Sequence, residues 1–330
     1  MKIWLPKRIQ PTGGTSSFAL KLRAGMEALG HQVYFTKPTQ YDVLLASPRA
    51  PLLAMLHAKY HHRPIVQRLD GVFYPGSSAG VWWRLHNLPL SIIRKYFADS
   101  IIYQSEFSKA QCQKYLWRQK NDKTPAAVIY NGVDTAVFSA VGPVEELRDN
   151  PDQHIFVTWS RFRRPDQIDP LIASFHEYRR QIEANAKLVI LGNFVGAVAD
   201  RPRKYTHDAI EFHGIVPNVD IPRFARGADV FVIMHRNPPC PNNVIEAMSC
   251  GLPICGIGDG AMPELVKGDA GVLIPPSARE NHHSSSIKEP YVHAMASCIT
   301  LSQASRAPLL SRFILDFMTL QYAKALVSRR

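Results

Sequence analysis

Apolar residues follow two alternating rhythms along the chain. Short β-rich runs, "KIWLP", "HQVYFT", "YDVLLAS", "RPIVQRLDG", "SIIYQSE" and "AAVIYNGVD", punctuate the first half. Amphipathic stretches lie between them, such as "SSFALKLRAGMEALG", closed by Gly30, and "KAQCQKYLWRQ". Strands that alternate with helices predict parallel pairing through crossover helices, hence a doubly wound α/β sheet. The same grammar restarts at "IFVTWSR". Strands "AKLVILGN", "IEFHGI", "DVFVIM", "PICGIG" and "GVLIPP" are then separated by helices "PLIASFHEYRRQIEAN", "VDIPRFARGA", "NVIEAMSCG" and "MPELVKG".

Two such units in tandem predict two domains. The polar, turn-rich segment 139–154 reads as the link between them. The expected boundaries are 1–145, 146–308 and a terminal segment 309–330. "ARENHHSSSIKEP" reads as a polar loop before a helix at "YVHAMASCITLSQ". In the terminal segment Leu309, Phe313, Phe317, Leu320 and Ala323 recur near helical spacing, which predicts a final helix with that stripe packed on a domain.

Composition narrows the class. A chain of 330 residues exceeds what one core usually holds, and 46% hydrophobic with 20% charged residues marks an ordinary globular protein. No run approaches a bilayer span, and "MKIWLPKRIQPTGG" lacks the apolar core of a secretory signal. Five cysteines without a Cys-x-x-Cys pair argue for reduced thiols, neither disulfide frame nor zinc site, and a cytoplasmic setting. The net charge of +12 sits mostly in residues 1–150, with 19 basic against 10 acidic residues. Such a half suits anionic lipid or phosphorylated ligands; a merely soluble surface accounts for it equally well.

Open α/β sheets bind ligands beyond the carboxyl ends of their strands, where helix N-termini present amide groups and a positive dipole end. Gly13 and Gly14 of "PTGGTSSF" allow close backbone approach there, although a plain strand-to-helix turn explains the pair too. The second such place is "NPPCPNNVIEAMSCGLPICG", residues 237–256. Asn242 or Asn243 could cap the helix, with amides from Asn243 and Val244 toward an anion. Glu246, about a turn in, could accept bonds from two adjacent hydroxyls, or simply favour the dipole.

These stretches resemble the retaining glycosyltransferases of family 4, with the GT-B fold. "EAMSCGLPI" and "GDGAMPELVKGDAGVLIPP" look like a variant of the family's Glu-x7-Glu region. "GGTSSF", "LGHQVYF", "ADSIIYQSEFSK", "YNGVDTAVF", "WSRF", "VILGN" and "IEFHGIVPNVDIPRFARGADVFVIM" follow in the family's order across nearly the whole chain. The resemblance implies two Rossmann-like domains facing across a cleft, with the C-terminal helix packing back toward the first. It gives Glu246 the ribose of a nucleotide sugar and Arg161 the diphosphate, for which a planar guanidinium is well suited. Gly13 and Gly14 would approach the donor from the first domain.

Departures from the family pattern fall on the donor side. Pro238 stands where the first glutamate would touch the hexose, so loop amides or Asn242 would have to serve. The family's lysine is missing near Asp166, leaving Arg163 or Arg164 to supply its charge. On the acceptor side, Asp70 of "RLDG" could orient the reacting hydroxyl, while a turn-forming Asp-Gly is the plain alternative. His57, His61 and His62 read as a solvated loop. Absence of Asp-x-Asp fits a metal-independent enzyme that needs no cofactor.

The function so implied is transfer of a hexosyl group from a UDP- or GDP-sugar to a hydroxyl of a glycan or lipid-linked acceptor. Catalytic roles fall to Asp70, Arg161 and Glu246, with peripheral contact with an anionic membrane and no nucleic-acid partner. The competing expectation is a binding protein on the same fold with little or no turnover. A nicotinamide-dependent oxidoreductase would need a fuller glycine fingerprint and an acid after the second strand.

Overall fold

The computed structural model describes residues 1–9, 14–48, 50–75, 81–119, 123–207, 209–276, 285–304 and 313–328. The chain forms two compact units, Met1–Gly132 with Ser311–Arg330, and Val133–Leu310.

The first unit contains β1 (Lys2–Trp4), α1 (Gly14–Ala28), β2 (Gln32–Tyr34), β3 (Val43–Ala46), α2 (Leu52–Tyr60), β4 (Ile65–Leu69), α3 (Trp82–Ile92), β5 (Ser100–Tyr103), α4 (Glu106–Tyr115) and β6 (Ala126–Val128). The second contains β7 (Ile155–Phe162), α5 (Asp169–Gln181), β8 (Lys187–Phe194), α6 (Arg201–Tyr205), β9 (Ile210–Gly214), α7 (Ile221–Gly227), β10 (Val230–Ile233), α8 (Asn242–Ser249), β11 (Ile254–Ile257), α9 (Met262–Leu265), β12 (Gly271–Ile274) and α10 (Ser285–Ala304). The last helix, α11 (Leu315–Val327), belongs to the first unit.

Each unit is built on a six-stranded sheet, ordered β2-β1-β3-β4-β5-β6 and β12-β11-β10-β7-β8-β9. Every pairing of these strands is parallel. Right-handed crossovers place α1 on one face of the first sheet and α2, α3 and α4 on the other. The cores agree with that division. Phe18, Leu22 and Met26 of α1 pack with Val66, Ile102 and Tyr322, whereas Ala54 and Met55 of α2 pack with Leu44 and Ile65. Each unit is thus a doubly wound α/β domain, as the sequence predicts.

Three local expectations need correction. Of the expected terminal stripe, Phe313 is buried and Ala323 packs against the core, Leu309 lies outside the described residues, and Phe317 and Leu320 are exposed, the helix burying Met318, Tyr322 and Leu326 instead. Apolar residues surround this helix, so two stripes fit its periodicity and only packing against α1 chooses one. α10 begins at Ser285, inside the segment expected to be a polar loop, and carries Pro290 within it. His57 lies in α2, where it shares a hydrogen bond of 2.9 Å with the Tyr41 hydroxyl.

Segment 139–154 is irregular but bound to the second unit. Arg226 donates to the carbonyls of Ser139 and Pro143, and Arg148 to that of Gly227. All five cysteines are buried thiols outside any disulfide. Burial pushes the Cys112 thiol up to about 12, where it is an inert packing group.

Candidate donor site of the second unit

The second sheet reverses direction between β7 and β10. β8 and β9 follow on one side of β7, while β10, β11 and β12 follow on the other. Such a switch point opens a crevice beyond the strand ends, flanked by the loops that leave them. The β7 end supplies Trp159, Ser160 and Arg161, and the β10 end leads through His235 into the loop before α8. Ser160 Oγ and His235 Nε2, 3.4 Å apart, join the two ends.

The proline-rich loop is fixed by its neighbour. Asp259 accepts from the amides of Asn237 and Gly260, both at 2.8 Å, and the Ala261 amide donates to the Pro238 carbonyl at 2.8 Å. Gly260, at φ +63°, has no room for a Cβ, which would sit 2.5 Å from the Pro238 ring and nitrogen. Stiffness comes from this interlock as much as from the prolines.

α8 starts directly from Pro241, and no side chain caps it. Neither asparagine takes the expected capping role. Asn243 Nδ2 donates to the Trp159 carbonyl at 2.8 Å, and its Oδ1 accepts from the Val244 amide at 3.1 Å. The Val244 amide is therefore engaged by this side chain. Asn242 occupies the first helical position, half-buried.

Glu246 is buried on α8, 6% exposed. Its Oε2 accepts from the Trp159 indole Nε1, a neutral donor, at 3.3 Å. Trp159 is itself held edge-on against Phe231, with centroids 4.4 Å apart. Strand alternation puts Arg161, exposed, on the same sheet face as Trp159. The arrangement thus brings a buried carboxylate, a helix N-terminus and a guanidinium to one end of one sheet. Such a set can accept bonds from paired hydroxyls and attract an anion.

Other expected residues fall less centrally. Arg163 and Arg164 are exposed just after β7, and Arg164 forms an ion pair with Asp166, Nε to Oδ1 3.0 Å. The acid at the missing lysine's place therefore holds one of the two candidate replacements locally. In the first unit α1 begins at Gly14, while Gly13 lies outside the described residues. Asp70, just beyond β4, is paired with Arg68, whose side chain is 3% exposed. Arg68 Nε donates to the Tyr322 hydroxyl and Nη2 to Asn131 Oδ1, both at 2.8 Å, and its guanidinium lies over the Phe18 ring.

Sequence reasoning assigned no part to Trp159, Asp259 or His235. Trp159 stands inside the quoted "WSRF", and an indole two residues before the arginine shares its strand face, which was the available signal. Asp259 acts through backbone amides, which leave no mark in a residue pattern. Among the described residues no group of three His, Cys, Asp or Glu could hold a metal ion, and no helix is long and apolar enough to cross a membrane.

Comparison with known proteins places the chain. The family description "Glycosyltransferase Family 4" matches residues 36–137, and "Glycosyl transferases group 1" matches residues 153–287. No curated protein matches it in sequence. Among solved structures it is similar to HepE of Anabaena in complex with UDP and glucose, at 17% identity and TM-score 0.73, over 99% of this chain and 100% of that one. It is also similar to sucrose-phosphate synthase from Thermosynechococcus elongatus, at 17% identity and TM-score 0.69, over 99% and 98% of the two chains. A third similar structure is the lipopolysaccharide outer core galactosyltransferase WaaB, at 14% identity and TM-score 0.61, over the full length of both.

Proposed function

The chain belongs to the family 4 glycosyltransferases of the GT-B type, and from that premise we propose that it transfers a hexosyl group from a nucleotide diphosphate sugar to an acceptor hydroxyl with retention. The observation that carries the donor assignment is the buried Glu246 carboxylate, oriented by a neutral indole beside the α8 N-terminus. A ribose offers two adjacent hydroxyls, the donors that such a carboxylate can accept.

In this reading the diphosphate lies toward the first turn of α8, at Asn242, Asn243 and Val244, with Arg161 as its guanidinium partner. Arg163 or Arg164 supplies the charge of the family's lysine, and Arg164 forms an ion pair with Asp166. The acceptor oxygen attacks the anomeric carbon on the face the diphosphate leaves. The bond from that carbon to the phosphate oxygen breaks, and the acceptor proton passes to the departing phosphate. No protein base is then required, and positive charge at the diphosphate is the main demand on the protein. Asp70, held by Arg68, is assigned the orientation of the acceptor hydroxyl, which belongs to a glycan or a lipid-linked sugar.

HepE was solved with UDP and glucose, which supports testing uridine donors first. The decisive experiment is a thermal-shift and isothermal-titration panel of UDP, GDP, ADP and their hexose conjugates on the wild type, Arg161→Ala and Glu246→Ala. A uridine or guanosine diphosphate should raise the melting temperature of the wild type, and both variants should lose that shift. Full retention in both would remove these residues from the donor site. Guanidinium and amide groups supply the charge here, so chelating divalent cations should leave donor hydrolysis unchanged.

A further inference from the structure

The loop between β10 and α8 has few side chains with which to read a ligand. Pro238, Pro239 and Pro241 carry no polar side-chain atom, and Cys240 is buried. Pro238, at the place of the family's hexose glutamate, is itself buried. Polar recognition by residues 237–241 therefore falls to their backbone and to the Asn237 side chain. A backbone recognises a ligand well when its peptide groups already point in fixed directions, because freedom left in the loop must be lost on binding.

The loop has little of its own to hold that shape. Asn237 stands at φ +45°, in the left-handed region that asparagine tolerates but does not prefer. Its three prolines lack amides, which removes the donors of ordinary turn bonds. Asp259 supplies the restraint from outside. Its Oδ2 accepts from the amide of Asn237, the residue at positive φ, while its Oδ1 accepts from the Gly260 amide. The turn that carries Asp259 is a firm support. The Gly258 and Asp259 amides donate to the carbonyls of Ile274 and Ile257, both at 2.8 Å, and Ala261 and Met262 are buried. Both Asp259 oxygens are turned to amides, so this carboxylate acts through the loop.

We propose that Asp259 is a positioning residue for the donor's sugar. It locks loop 237–241 so that backbone groups, in place of a glutamate, meet the hexose hydroxyls, a role that rests on the donor site assigned above to Glu246 and Arg161. Loss of the lock should be felt by the sugar half of the donor and not by the diphosphate half.

UDP, UDP-glucose, UDP-galactose, GDP and GDP-mannose are titrated into the wild type, Asp259→Ala, Asp259→Asn and Gly260→Ala. For the conjugate that the wild type binds best, the ratio of its dissociation constant to that of its diphosphate should rise roughly tenfold in Asp259→Ala, with the diphosphate constant moving less than about twofold. Gly260→Ala keeps both Asp259 oxygens but drives a Cβ against Pro238, and should raise the ratio likewise. Asp259→Asn retains one of the two acceptor oxygens and should fall between. These two variants carry the test where Asp259→Ala does not accumulate. Hydrogen exchange reads the lock without any ligand, since the Asn237 and Ala261 amides should lose protection in Asp259→Ala. A carboxylate that merely stabilises the fold would weaken diphosphate and conjugate alike. That parallel loss, a ratio unmoved in both Asp259→Ala and Gly260→Ala, or unchanged protection at Asn237 would overturn the proposal while the donor site stands. A wild type that binds no nucleotide would bring down the donor site and this role together.

Discussion

Asp70 and Glu246 each lie near the carboxyl end of their unit's sheet, largely shielded from water, and the two are held in different ways. Asp70 of the first unit faces a guanidinium, so its charge is cancelled within the protein. Glu246 of the second accepts from an indole N–H, which directs one of its oxygens. A compensated carboxylate can fix a direction and tie elements together. One aimed by an indole N–H can turn acceptor oxygens toward hydroxyl groups. Arg68 shows the first role fully, since it also binds Tyr322 of α11 and Asn131 and so gathers distant parts of the chain around one guanidinium.

The largest effect should come from breaking the compensated pair. Arg68→Leu leaves Asp70 without its cation and removes the bonds to Tyr322 and Asn131. Loss of one partner of a buried pair costs about 3–5 kcal/mol, so this variant should melt far below the wild type or fail to accumulate. Adding Asp70→Asn should restore part of that loss, because no buried charge then remains alone. Chemical denaturation of the two variants measures this; equal stabilities would mean that the pair does not act as a unit.

Glu246→Gln tests the other half of the comparison with a smaller effect. The amide is nearly isosteric and its oxygen can still accept from Trp159, so the melting temperature of the free protein should hardly move. Donor affinity should fall about tenfold to a hundredfold, as charge-assisted bonds of about 1.5–3 kcal/mol become neutral ones. Titration with UDP and a UDP-hexose reads it. An unchanged affinity beside a large loss of stability would make Glu246 a purely structural carboxylate.

How far this contrast is legible in the sequence depends on what holds each residue. Strand and helix alternation reveals both sheets because every crossover repeats the same apolar rhythm. Glu246 stands out because it is the one acid in an apolar helix, "NNVIEAMS". The stripe of α11 is ambiguous, since Phe317 and Leu320 are as apolar as Met318 and Leu326, and only the neighbouring α1 decides between them. Asp70 reads as a turn residue or an acceptor-side group, and nothing local announces that Tyr322, 254 positions from Arg68, completes its support. The capping expectation for Asn242 and Asn243 fails for a related reason. The helix starts from Pro241, so Asn243 sits inside it, where its Oδ1 accepts from the adjacent Val244 amide and its Nδ2 donates to a carbonyl on β7, distant in sequence.

The smallest effect sharpens the contrast most, because it concerns the indole alone. Trp159→Phe keeps a ring against Phe231 and deletes the N–H that orients Glu246. At 3.3 Å this bond is long, so its loss should cost donor affinity about 1 kcal/mol, roughly fivefold. Some of any measured change could come from the smaller ring, and a double-mutant cycle with Glu246→Gln separates the two sources. If the indole works by aiming the carboxylate, its removal should matter much less once the carboxylate has become an amide. If the two losses simply add, Trp159 is packing, and the neutral-donor account of Glu246 falls with it.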